Sequence, residues 1–200
     1  MEDATKGISD PVSEQFRTYL IKIVLEQTEY YSIWFTDIST ADEQDKLLTN
    51  SEGEVLVFTS IEGLKRYIQS HLQNLPDSRN FEGWINGYTR NAAYTIYDID
   101  DVRRSISEFD KVSTTANDDA SKQIDLFNLI GDYRDLVHDE FLEEKMDDPV
   151  MQDFFDGTYT FHFWRTPEGA SDPEIDPGKF KELFNQIIDY FVSRIQMINV

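Results

Sequence analysis

Cysteine is absent from the 200 residues. That removes a disulfide framework, a thiol nucleophile and every cysteine-based zinc or iron–sulfur site, and it fits a reducing compartment. Basic side chains are scarce: 18 Lys and Arg face 39 Asp and Glu, a formal net charge of −21. A surface this acidic repels nucleic acid and anionic lipid, because binding a polyphosphate requires cations that release its counterions. It attracts cationic partners instead. Long apolar runs are missing too, and none approaches the ~18 residues a spanning helix needs. The opening Met1-Glu2-Asp3-Ala4-Thr5-Lys6-Gly7 lacks the cationic head and apolar stretch of a secretory leader. The expectation is a cytoplasmic chain that engages neither membrane nor nucleic acid.

What is present is material for a core. Hydrophobic residues make up 40% of the chain and aromatics 14%, too much for a disordered polymer despite the charge. The length suits one domain with a real interior. Residues 1–14 show no apolar period and contain Gly7 and Pro11, so they read as a flexible arm, with a single domain over 15–200.

Alternation of apolar and polar residues predicts strands near 16–26 and 30–36, paired as a hairpin, and a further strand at 93–99. The continuous run Val55-Leu56-Val57-Phe58-Thr59 predicts a buried strand at 54–59. Residues 39–53 read as a polar loop with one helical turn at Asp42–Leu48. Ser60 can cap a helix over 61–73 carrying Ile61, Leu64, Ile68 and Leu72. Residues 74–91 read as a packed loop or a short helix. Asp100 can cap a helix with Val102, Ile106 and Phe109 inward, and the stretch 113–117 reads as a boundary between layers. The longest helical pattern covers 118–145, with Ile124, Phe127, Ile130, Tyr133, Val137 and Phe141 as its apolar stripe and Asp147-Asp148-Pro149 as its stop. Thr158 to Trp164 alternates and reads as a strand. Asp176 with Pro177 opens a last helix over 177–197. The fold class expected is α+β, a small antiparallel sheet packed against several helices.

Catalytic signatures are missing. There is no phosphate-binding glycine loop, no dinucleotide fingerprint, no nucleophile elbow, no H-E-x-x-H and no EF-hand loop. His71, His138 and His162 fall on three different expected elements. Asp98, Asp100 and Asp101 gather at a strand–helix junction and are the one arrangement that suggests a hard metal such as Mg²⁺. Carboxylates at a helix start also have an ordinary role, capping free N–H groups and meeting the positive dipole end. No enzyme activity and no cofactor are expected.

One constellation has geometry. Asp118, Asp125, Asp132 and Asp139 recur every seven residues, with Asp135 and Glu143 between them. A seven-residue step is two helical turns, so all six would lie on one stripe of the long helix, with neighbours in the series ~10 Å apart. Over 116–176 there are 17 acidic and 4 basic side chains. A helix shaped for stability alone mixes signs, because opposite charges at i,i+4 help by ~0.2–0.5 kcal/mol and like charges cost a similar amount. The stripe therefore reads either as a solubilising face or as a docking surface for a cationic protein. If it only solubilises, the aromatic stretch Phe81–Tyr88 or the Asp-rich loop at 168–176 is the next candidate surface.

Tyr31-Ser-Ile-Trp-Phe-Thr-Asp37, a polar loop, then Gly53-Glu-Val-Leu-Val-Phe-Thr-Ser60 and a helix carrying Leu64-Lys-Arg-Tyr67 resemble a pattern in bacterial immunity proteins of contact-dependent and other polymorphic toxin systems. Ile124-Asp-Leu-Phe-Asn-Leu-Ile-Gly-Asp132 resembles a segment that follows in some of them. The resemblance covers the middle half of the chain and implies a cytosolic, non-enzymatic protein that binds and occludes one cognate toxin, many of which are basic nucleases. Toxin-contacting residues share no motif in that family, so none carries over. Two other classes fit the residues: a generic acidic adaptor, and a carboxylate-based metal hydrolase centred on Asp98, Asp100 and Asp101.

Overall fold

The computed structural model describes residues 10–38, 43–110, 118–163 and 175–199. By their contacts the residues divide into two compact units, one of residues 1–98 with 194–200 and one of residues 99–193. The fold class is α+β, with every strand of the described residues in the first unit and helices alone in the described part of the second. No helix among the described residues is long and apolar enough to cross a membrane.

In the sheet unit, β1 (Thr18–Leu25) and β2 (Thr28–Asp37) form the expected hairpin, with Leu20 opposite Ile33 and Leu25 opposite Thr28. Its two-residue turn is Glu26–Gln27, with φ of 51° and 61°, the left-handed pair of a type I′ turn. β3 (Gln44–Leu47) pairs with β2 where a loop with a helical turn is expected. Strand pairing with Trp34 to Asp37 overrides a local pattern too short to hold a helix. β4 (Val55–Phe58) is buried at all four positions, as its unbroken apolar run requires. The outer strands are β5 (Thr95–Asp98), parallel to β1, and β6 (Ile195–Ile198), parallel to β4. The sheet is thus mixed, where an antiparallel one is expected. β6 occupies residues expected to extend the last helix.

Three α-helices among the described residues belong to the same unit. In α1 (Pro11–Phe16) the Asp10 carboxylate accepts from the Val12 and Ser13 N–H groups. The flexible arm expected over 1–14 is therefore helical from Pro11, and residues 1–9 lie outside the described residues. α2 (Ile61–His71) starts as expected, with the Ser60 hydroxyl accepting from the Gly63 N–H at 3.0 Å. α3 (Ser78–Gly87) resolves the ambiguous aromatic stretch. Leu20, Ile33, Phe35, Leu56 and Phe58 meet Ile61, Leu64, Ile68, Phe81 and Trp84 in one core. Gly83 admits α1 to it: a Cβ there would lie 2.3 Å from the Phe16 ring. Phe81, Trp84 and Tyr88 are at most 3% exposed, so these rings of the alternative docking stretch belong to the core, while Glu82 and Asn86 are exposed.

The helical unit holds α4 (Ile99–Glu108), α5 (Asp118–Val137), α6 (Glu140–Met146), α7 (Pro149–Phe163) and α8 (Pro177–Ser193). Rings from three of these segments interlock: Phe127 and Phe154 pack on Phe184, Phe154 also packs on Phe180, and Tyr133 packs on Phe191. Asp176 caps α8 as expected, accepting from the Gly178 and Lys179 N–H groups. The strand expected over 158–164 is instead the end of α7 as far as Phe163, and Trp164 lies outside the described residues. Asp148 accepts from the Val150 N–H to start that helix, and Met151, Phe154 and Thr158 bury one helical face. Three buried positions at helical spacing outweigh the alternating tail.

Candidate functional site

Eight residues of α5 are buried: Ala120, Gln123, Ile124, Leu126, Phe127, Leu129, Ile130 and Tyr133. At 3.6 residues per turn they occupy more than half of the circumference. The remaining arc carries Asp118, Asp125, Asn128, Asp132 and Asp135. Asp118 and Asp135 are exposed, and Asp125 and Asp132 are half-buried. The expected acidic stripe therefore exists along α5 for four of its six members.

It does not run on. The chain turns at His138, whose φ is 52°, and the Asp139 N–H donates back to the Arg134 carbonyl at 3.2 Å. This is a left-handed C-terminal stop with histidine where glycine is usual. Asp139 then begins the next helix. One carboxylate oxygen accepts from the Leu142 N–H at 3.0 Å and the other from the Tyr190 hydroxyl at 2.6 Å. Asp139 thus joins α6 to α8, and the expected single helix over 118–145 is two. The break also shifts the buried positions to Leu142 and Met146, leaving Phe141, expected inward, exposed and stacked on Tyr190 at 4.6 Å. Glu143 is exposed on α6.

The bend folds α6 and the start of α7 back toward α5 and opens two adjoining recesses. One, of about 200 Å³, is lined by Arg134, Asp135, His138, Asp139, Glu143 and Asp147. The other is a groove of about 390 Å³. Phe127 and Met146, nearly fully buried, are among its lining residues with the half-exposed Phe155. Asp132, Asp135 and Asp147 stand along it. Three of the six expected residues (Asp135, Asp139 and Glu143) meet in the first recess, Asp132 with Asp135 lines the second, and Asp118 and Asp125 line neither.

The cations of this region are engaged. Arg134 reaches Asp135 at 2.8 Å and Asp147 at 3.6 Å, and Lys145 reaches Glu144 at 3.0 Å. The hydrogen bond that Arg134 donates to Asp135 holds its guanidinium above its ordinary pKa, against the opposing effect of burial. Lys122 pairs with Asp101. Residues 118–148 hold eleven acidic and three basic side chains, so this pairing leaves a large excess of carboxylates.

Gly131 lines the same groove as Asp132, Asp135 and Asp147. A Cβ there would meet one atom within 4 Å, the tip of Met146 at 3.6 Å, an ordinary contact. Glycine inside a helix costs about 0.5–1 kcal/mol relative to alanine, and packing does not require it here. Gly131 and Asp147 belong to the groove and were not among the expected site residues. The signal for Gly131 was an isolated glycine inside a strong helical period.

The alternative metal cluster does not assemble. Asp98 ends β5, while Asp100 and Asp101 lie in the first turn of α4, so Asp100 is within the helix rather than its cap. Asp101 is taken up by Arg104 and Lys122. Among the described residues no group of three or more His, Cys, Asp or Glu is placed to hold a metal ion. Of the Asp-rich loop, 168–174 lie outside the described residues.

No family model matches the chain, and no curated protein matches it. Among solved structures, the crystal structure of the SatS C-terminal domain in complex with bromine is similar, with a TM-score of 0.60 at 16% sequence identity over 93% of this chain and 96% of that one. At that identity the likeness concerns the fold alone.

Proposed function

We propose that this chain is a binding protein that docks the acidic side of its helical unit onto a cationic protein domain and blocks it by covering it. In this reading it acts as the immunity proteins its sequence resembles act, against a basic toxin domain such as a nuclease. The observation that carries the reading is the open arc of α5. A central helix with most of its circumference buried keeps one side for Asp118, Asp125, Asp132 and Asp135, and the three cations nearby are already paired. Such a field raises association rates with a cationic partner from ~10⁵–10⁶ toward ~10⁸ M⁻¹s⁻¹ at low salt. Occlusion needs no chemistry from this chain, so no turnover is expected on phosphoester, ester or peptide substrates with divalent metals added. A metal-dependent rate lost in Asp100→Ala would overturn the reading.

The partner is sought first as the product of the gene immediately upstream and by affinity capture from the native host. Binding is then followed by stopped flow over a range of salt. A basic partner, fast association at low salt and a steep decline with salt support the proposal. A neutral or acidic partner, or a rate indifferent to salt, contradicts it.

A further inference from the structure

The groove beside Gly131 has a chemistry narrower than an acidic face. Its one accessible apolar surface is the half-exposed ring of Phe155, beside the nearly fully buried Phe127 and Met146. Its upper walls are polar, with Asp132 and Asp135 from α5 and Asp147 from the α6–α7 corner. Three carboxylates against the one guanidinium of Arg134 leave it two charges negative. An exposed ring face beside three carboxylates fits a side chain with a greasy stem and a cationic head. A planar guanidinium suits it better than an ammonium. It can share carboxylates in a fork and lie against an aromatic ring, as Arg134 already shares Asp135 and Asp147.

Gly131 is the second observation. The helix would be more stable with alanine, and the space for a methyl is there. What the missing side chain provides is depth in the groove. We propose that the groove over Gly131 is a socket for an arginine side chain of the cationic partner, with its stem against the Phe155 ring and its guanidinium among Asp132, Asp135 and Asp147. This rests on the docking reading above and names the group that reading leaves open.

The test uses the full chain and three peptides, acetyl-Gly-Arg-Gly-amide and its lysine and citrulline counterparts, titrated by NMR. Citrulline keeps the shape of arginine and removes the charge. The expected result is a saturable shift with the arginine peptide confined to amides of 127–135 and 146–155, several-fold weaker binding of lysine and none of citrulline. Gly131→Leu should fill the groove and weaken the arginine peptide about tenfold. Gly131→Ala should raise Tm by ~2–4 °C while weakening the same peptide, and it carries the test if the leucine variant fails to fold. No saturable shift in the millimolar range, equal shifts from arginine and lysine spread over the whole acidic surface, or unchanged binding in both variants would each overturn the socket. Neutralising Asp118, Asp125 and Glu143, which do not line the groove, probes the wider face separately. If partner association then loses its salt slope while the Gly131 variants bind as before, the socket fails and the docking reading stands.

Discussion

Two glycines show how differently the two units are built. Gly83, in the sheet unit, is needed by the packing: the Phe16 ring occupies the place of its side chain. Gly131, in the helical unit, has room for a methyl group and opens a groove instead. The charges divide in the same way. Residues 99–193 hold 23 acidic and 9 basic side chains, while the rest of the chain holds 16 and 9. Two-thirds of the net charge thus sits on under half the residues. One unit spends its unusual residues on its own interior, and the other keeps an unusual residue and an unusual charge on its surface. A position that packing does not explain is the place to look for a partner.

Substitution of the two glycines separates the units most sharply. Gly83→Ala forces a methyl against an aromatic ring, and urea unfolding should show a loss of about 2–3 kcal/mol. Asp139→Ala removes the α6 cap and the Tyr190 hydrogen bond, with an expected loss of about 1–2 kcal/mol. Asp139→Asn should retain most of that stability and leave partner association unchanged, because Asp139 works inside the fold. Gly131→Ala should go the other way, gaining about 0.5–1 kcal/mol. A loss at Gly131 as large as that at Gly83 would erase the contrast.

Alkaline pH tests two phenols of the sheet unit. Burial pushes the Tyr19 and Tyr88 phenols up to about 12, aided at Tyr19 by Glu14 and at Tyr88 by Asp10. A raised phenol pKa means that the fold favours the neutral form. The stability this contributes is fully present below the unfolded value near 10 and is lost as pH rises toward 12. Phenolate absorbance should include a late step from these two tyrosines, and Tyr19→Phe with Tyr88→Phe should diminish it. Salt tests the charge excess, with the smallest effect. Tm should rise between low salt and ~0.15 M, where the screening length falls to ~8 Å. A flat response would mean that the carboxylates are already balanced within the fold.

The sheet unit was the more legible in sequence. Alternation along β1 and β2, the apolar run of β4 and the Ser60 cap each report a local geometry directly. β3 and β6 were missed because strands of four residues carry little local signal and take their shape from a neighbouring strand. The helical unit hid its main feature. The break between α5 and α6 uses His138 in a left-handed conformation, where glycine or asparagine would have announced it, and the apolar spacing runs across the break without a gap. Four acidic positions on α5 were placed correctly, whereas Asp139 was misread because its carboxylate bonds to a residue 51 positions away. The groove was invisible for the same reason: it joins α5 to residues 146–155 through a turn the period does not record.

The acidic side of α5 is held here to be a docking surface, and association kinetics test that most directly. The native chain and a variant carrying Asp118→Asn, Asp125→Asn and Glu143→Gln are mixed with the captured basic partner across a salt series. A slower association rate at low salt, a flatter salt dependence and an unchanged circular dichroism spectrum are the predicted result. An association rate and salt slope identical to those of the native chain would contradict it and leave the acidic helix as a solubilising face.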